Sequence, residues 1–95
     1  MAEVYYAKDP MAMVGFDYPL PTLEDLEKTH AKVCEMTGNQ DEIFAELNYN
    51  PRKYIKYPLP KGIRHTSMSI GDVVKDGESI KVCDIVGWTE IKGGK

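Results

Sequence analysis

Apolar and polar positions change their period several times along this chain, and each change predicts an element. Residues 3–7, Glu3-Val4-Tyr5-Tyr6-Ala7, read as a short strand. Pro10, Gly15, Pro19 and Pro21 then punctuate 8–21, which reads as irregular apart from a short extended piece at 13–16. Thr22-Leu23-Glu24-Asp25 opens a helix, with a hydroxyl to cap it and acids at the positive end of its dipole. Leu23, Leu26, His30 and Val33 continue a helical spacing, yet His30-Ala31-Lys32-Val33-Cys34-Glu35-Met36 also alternates as a strand would. Periodicity alone does not separate the two; the favoured reading is a helix over 22–28 turning into a strand over about 30–36.

Thr37-Gly38 is a break. Asn39 with Glu42 three residues later makes a capping arrangement for a helix over 40–48, whose apolar stripe is Ile43, Phe44 and Leu47. Asn50-Pro51 ends it, and 51–62, with Pro51, Pro58, Pro60 and Gly62, reads as a loop or extended linker. After a turn at Gly71-Asp72, Val73-Val74-Lys75 begins a strand. Asp76-Gly77 is a two-residue type I′ hairpin signal. That loop would set Lys75 opposite Glu78, Val74 opposite Ser79, Val73 opposite Ile80 and Asp72 opposite Lys81. The second strand runs through Ile80, Val82 and Asp84 to Val86, and Gly87 marks a bend before Trp88 and Ile91 continue the sheet.

These elements predict one α+β domain over 1–95: a small antiparallel sheet of three to five strands with one or two short helices on a face. The C-terminal hairpin unit spans about 64–91, and 92–95 form a mobile tail. Ile43, Phe44, Leu47, Ile70, Val73, Ile80, Val82, Val86, Trp88 and Ile91 are the expected core. A core of that size gives modest stability, which a partner or a second copy of the chain would raise.

Composition narrows the class. The 95 residues are 42% hydrophobic and 28% charged, an ordinary globular balance that rules out two normal cores and the large enzyme scaffolds. No apolar run approaches the roughly 20 residues of a membrane span. Two separated cysteines, Cys34 and Cys83, and a start without a basic region before an apolar stretch point to a reducing, cytoplasmic setting with free thiols. The net charge of -3 conceals a strong asymmetry. Residues 22–47 hold two lysines and seven acids, whereas 48–65 hold Arg52, Lys53, Lys56, Lys61 and Arg64 and no acid. Tyr49, Tyr54 and Tyr57 are interleaved with those cations.

Candidate chemistry is sparse. His30, Cys34, His65 and Cys83 are the minimum set for tetrahedral zinc but lack the tight ligand spacing of a finger or ribbon. A Cys–His nucleophile would need Cys34 or Cys83 with His65 as base, plus an orienting group and a lowered thiol pKa. Glu24-Asp25 and Asp41-Glu42 sit in first helical turns, where acids are expected for stability alone. There is no GxGxxG, P-loop or HExxH. No catalytic residue, metal or cofactor is therefore assigned. The candidate surface is Tyr49, Arg52, Lys53, Tyr54, Lys56, Tyr57, Lys61, Arg64 and His65. It would meet an acidic protein, the chain's own acidic half, or the phosphates and unpaired bases of single-stranded nucleic acid. In 64–74, Ser67 and Ser69 are expected to satisfy backbone groups of the turn, and Arg64 and His65 to lock the loop or bind an anion.

Arg64-His65-Thr66-Ser67-Met68-Ser69-Ile70-Gly71-Asp72-Val73-Val74, a spacer with Gly77, then Val82 and Gly87-Trp88-Thr89-Glu90-Ile91, resembles the YodL-like segment of small phage and mobile-element proteins. Its pattern is roughly an arginine, two or three small residues, S-x-G-D-V-[IV], a hairpin and a closing G-[FW]-x-x-[IV]. More loosely, Leu26 to Leu47, with Thr29-His30-Ala31-Lys32-Val33 and a helix bearing Phe44, is similar to the region ahead of it in phage versions. The resemblance implies a mobile-element origin and no established activity. A weaker similarity, through Gly71-Asp72-Val73-Val74 alone, runs to PUA-like and ASCH domains, small barrels that often bind RNA. Three function classes follow. The first is a non-enzymatic accessory protein that inhibits a host or defence protein by covering a surface. The second is an RNA- or ssDNA-binding module, and the third a small Cys/His enzyme.

Overall fold

A computed structural model describes residues 1–8, 26–84 and 87–92. Strand β1, Ala2–Ala7, alternates as its sequence predicts, with Ala2, Val4 and Tyr6 buried on one face. A short helix α1, Leu26–Thr29, passes directly into β2, His30–Met36. The strand reading of that segment therefore prevails over the helical one, but its expected alternation is broken at a bulge, so that Val33 and Cys34 both pack on the core and Lys32 and Glu35 are exposed. The expected extended piece at 13–16 and the helix start at 22–25 lie outside the described residues.

Helix α2, Gln40–Tyr49, begins as Asn39 and Glu42 dictate. The Asn39 side chain accepts from the Glu42 N–H at 2.9 Å, and Glu42 accepts from the Asn39 N–H at 3.0 Å. A reciprocal cap of this kind is worth about 1 kcal/mol. A one-turn 3-10 helix, Pro51–Lys53, follows. The chain then crosses to β3, Val73–Asp76, β4, Ser79–Asp84, and β5, Gly87–Lys92. The five strands form one antiparallel sheet in the order β2-β1-β3-β4-β5. The first strand of the sequence thus sits inside the sheet.

Two apolar clusters cover the two faces. On one, α2 (Ile43, Leu47) and the loop residues Ile55, Ile63 and Met68 pack on Ala2, Val4, Tyr6, Met36 and Val74. On the other, Leu26 covers Val73, Ile80 and Val82, with Tyr5 beside them. Three expected core positions differ. Phe44 is 38% exposed because Ile43 and Leu47, four apart, take the inner stripe and leave the next residue about 100° around the helix. Its ring instead meets Trp88 edge-on, at 6.3 Å between centroids. Trp88 and Ile70 are half-buried. Val86 and the side chain of Ile91 lie outside the described residues.

The hairpin register also departs from expectation. Asp76 pairs with Ser79, Lys75 with Ile80, Val74 with Lys81 and Val73 with Val82, so the two-residue loop is Gly77-Glu78. A type I′ turn at Asp76-Gly77 needs both residues at positive φ, and among the described residues only glycines have it. Gly77, at φ 64, takes the first loop position, as in a type II′ turn. Each partner moves by two residues, so the facing of every side chain survives. The expected charge pairs are replaced: Lys75 bonds Glu3 at 3.2 Å and Lys81 bonds Gln40 at 3.1 Å. Lys92, expected in a mobile tail, closes β5 opposite Ser79, and 93–95 lie outside the described residues.

Candidate functional site

Two constellations deserve a chemical account: the buried polar hub under the 64–72 loop and the basic face beside it.

The hub is built by Gly71-Asp72. Gly71 turns at φ 94, a left-handed conformation that favours glycine, and its N–H donates to the Cys83 carbonyl at 2.8 Å. Asp72 is fully buried. Its Oδ1 accepts from the Ala7 N–H at 2.7 Å, and its Oδ2 accepts from the Ser69 N–H at 2.8 Å and from His65 Nε2 at 2.9 Å. The β1–β3 ladder runs out at Tyr5 and Val73, and the carboxylate takes the next unpaired β1 donor in place of a main-chain oxygen. The His65 ring lies flat on Tyr6, with centroids 4.6 Å apart and planes 11° from parallel, and the Tyr6 hydroxyl donates to Thr66 O at 2.7 Å. Burial, reinforced by the Asp72 charge, pushes the Tyr6 phenol well above its usual range. The Nδ1 of His65 is buried and meets no hydrogen-bonding group among the described residues.

His30 closes the same end of the sheet from β2. Its Nε2–H donates to the Gly71 carbonyl at 2.6 Å, and the Thr29 hydroxyl donates to Nδ1 at 2.7 Å, a neutral imidazole with both nitrogens used. Burial holds its pKa below the ordinary value, against the opposing pull of the Gly71 carbonyl and Asp72. The unfolded chain takes up this proton near pH 6.5 and the folded chain only lower. The associated stability is complete above the unfolded value and is lost as pH falls through the folded one. Urea midpoints at pH 5 and pH 7.5 should therefore differ, and His30→Gln should make that difference smaller. An unchanged difference would remove His30 from the acid response.

This arrangement bears on the expected chemistry. Both thiols are free, and burial pushes Cys34 and Cys83 up to about 11, so each is protonated at neutral pH and a poor nucleophile. His65, the base such an enzyme would need, meets neither thiol: its Nε2 is on Asp72 and its Nδ1 has no hydrogen-bonding partner among the described residues. The zinc set is dispersed: among the described residues no three His, Cys, Asp or Glu side chains form a metal-holding group. Among the described residues no helix is long and apolar enough to cross a membrane.

The basic face is assembled by α2, the 3-10 turn and the loop to residue 64. Arg52, Lys53, Lys56, Lys61 and Arg64 are all exposed, and none forms an ion pair with an acid among the described residues. Tyr49 is 88% and Tyr57 44% exposed. Arg52 lies 4.8 Å over the Tyr57 ring and Lys53 5.5 Å over that of Tyr54. Among the described residues one side-chain hydrogen bond, Tyr54 Oη–H to Glu46 Oε2 at 3.0 Å, ties this stretch to the carboxylates of α2. His65, grouped with these residues on sequence, turns inward to Asp72. The groove beside the face was not legible in sequence, since it joins residues of β2 to residues twenty positions later. Lys32, Val33, Cys34 and Glu35 line one side of it and Tyr54 and Lys56 the other, around about 420 Å³.

Compared with known proteins, the chain matches no family model, no curated protein and no solved structure.

Proposed function

We propose that this protein is a non-enzymatic binding module whose 49–64 face engages an acidic surface of another protein. The observation that carries this reading is the exposure of five cations with no ion-pairing acid among the described residues. Charges that stabilise their own fold are normally answered by nearby opposite charge, and unanswered charge is available to steer a partner. The YodL-like resemblance extends the reading to a phage or mobile-element accessory factor acting on a host or defence protein in the cytoplasm.

A second reading, binding of single-stranded RNA or DNA, has one observation in its favour, the exposed ring of Tyr49. Arg52 and Lys53 already occupy one face each of Tyr57 and Tyr54, and the net charge of -3 opposes long-range attraction to phosphates.

Titration of the full chain with polyglutamate and with oligo(dT) and oligo(U), at low and physiological salt, separates the two. Polyglutamate is expected to bind and to weaken with salt, and the triple variant Arg52→Glu/Lys61→Glu/Arg64→Glu to lose at least about tenfold in affinity. Tighter binding of either oligonucleotide would favour the second reading, and no binding of any probe would remove both.

A further inference from the structure

We propose that the groove between the outer flank of β2 and the loop at Tyr54–Lys56 seats a large apolar side chain carried by an acidic segment of the partner. This rests on the binding reading above and specifies how that partner is held.

The floor is apolar and the loop side of the rim is cationic. Val33, Cys34 and Tyr54 are half-buried and continue the main core outward, so an apolar side chain placed there joins an existing cluster. Lys32 and Lys56 stand on opposite sides. Glu35, the one acid among the groove residues, is already engaged by Lys32, which also reaches Glu3 at 3.5 Å. Lys53 adds charge over the Tyr54 ring, 5.5 Å from its centroid. A partner segment bearing a carboxylate on the loop side of its apolar residue, where Lys56 is unanswered by any acid among the described residues, matches that distribution, and a basic one does not.

The walls are held before anything binds. The Tyr54 ring is fixed at its hydroxyl by Glu46 and across its face by Lys53. Little side-chain entropy remains to be lost there on binding. The volume, about 420 Å³, lies in the range of small-ligand clefts and suits side chains rather than a whole helix.

The mode is anchoring, not strand addition. β2 is an edge strand, and its pairing with β1 shifts register between Val4 and Tyr5: Cys34 faces Val4, Lys32 faces Tyr5, and Val33 is the extra residue. A bulge bends the edge and interrupts the even spacing of donors and acceptors that an added strand would need. The same bulge brings both Val33 and Cys34 to the core side, which makes the apolar floor.

The test uses the full chain and two capped synthetic peptides, one a leucine flanked by glutamates and the other glutamate throughout, at equal charge. The leucine peptide is expected to bind at least about tenfold tighter, with NMR shifts at Val33, Cys34 and Tyr54. Lys56→Glu should weaken it at least about tenfold, and Lys81→Glu, outside both the groove and the basic face, by less than about threefold. Equal affinity for the two peptides, with shifts confined to 52, 53, 61 and 64, would overturn the groove while leaving the basic face as the binding surface. Failure of both peptides to bind would overturn both readings.

Discussion

Asp72→Ala is expected to lower the stability of the folded chain by roughly 3–5 kcal/mol, the combined effect of leaving several buried donors without their acceptor at about 1–3 kcal/mol each. The carboxylate has no solvent contact and answers the main-chain N–H groups of Ala7 and Ser69 and the ring of His65. Alanine fills none of these roles, and the Ala7 donor, at a buried position, is left without an acceptor. Asp72→Asn retains one oxygen but turns an amide donor toward other donors, so a loss of about 2–3 kcal/mol is expected. Urea denaturation reads both. With a slope of about 1–3 kcal/mol per molar, the alanine variant should lose more than about 1 M in midpoint. A change under about 0.5 kcal/mol would mean that the hub is incidental to the fold.

Tyr6 carries the second large effect, and two substitutions divide it. Tyr6→Ala empties the space between α2, the 64–68 loop and the sheet and unstacks His65, at a cost of about 3–5 kcal/mol. Tyr6→Phe keeps the ring and the stack and loses only the hydrogen bond to Thr66, about 1 kcal/mol. Thermal unfolding should show the phenylalanine variant down by about 4–8 °C and the alanine variant by several times that. Equal shifts would assign the effect to the hydroxyl, and the packing account of Tyr6 would fail.

How far the sequence foretells this architecture depends on whether a signal is local. The Asn39–Glu42 box and the 43/47 spacing define α2 because a helix cap and a helix stripe span four residues. The alternation in 30–36 yields β2 because an edge strand on a covered sheet needs little else. Asp76-Gly77 misplaces the hairpin by one loop position because one glycine serves equally as first or second turn residue; the choice falls to the pairing of Val73 with Val82, which no dipeptide encodes. Ile55, Ile63 and Met68 escape detection altogether. Ile55 and Ile63 stand singly among tyrosines, lysines, prolines and a glycine, and Met68 between two serines, and only the return of the loop over β1 buries them.

The candidate site divides in the same way. The cations of 49–64 are conspicuous as composition, and their exposure is a tertiary fact. His65 looked like part of that surface because it adjoins Arg64. The signal that separates them is its distance of seven residues from an acid placed directly after a glycine turn, which lets Asp72 reach back across the loop. For the same reason Ser69, expected to satisfy the turn with its hydroxyl, contributes chiefly its main-chain N–H, at 2.8 Å from Oδ2 against 3.4 Å for its Oγ.

The place of β1 inside the sheet has a kinetic consequence. Its neighbours are β2, about thirty residues on, and β3, about seventy residues on, and the hub joins Ala7 to Asp72 across 65 positions. Long loops must close before those pairings return any free energy, so folding belongs to the slow, high-contact-order regime of milliseconds to seconds. During synthesis β1 emerges before β3 and waits without that inner partner until the roughly seventy residues between them have followed. A strand of Val4, Tyr5 and Tyr6 left unpaired for that interval is the segment most exposed to wrong pairing, and chaperone binding in the cell should concentrate there.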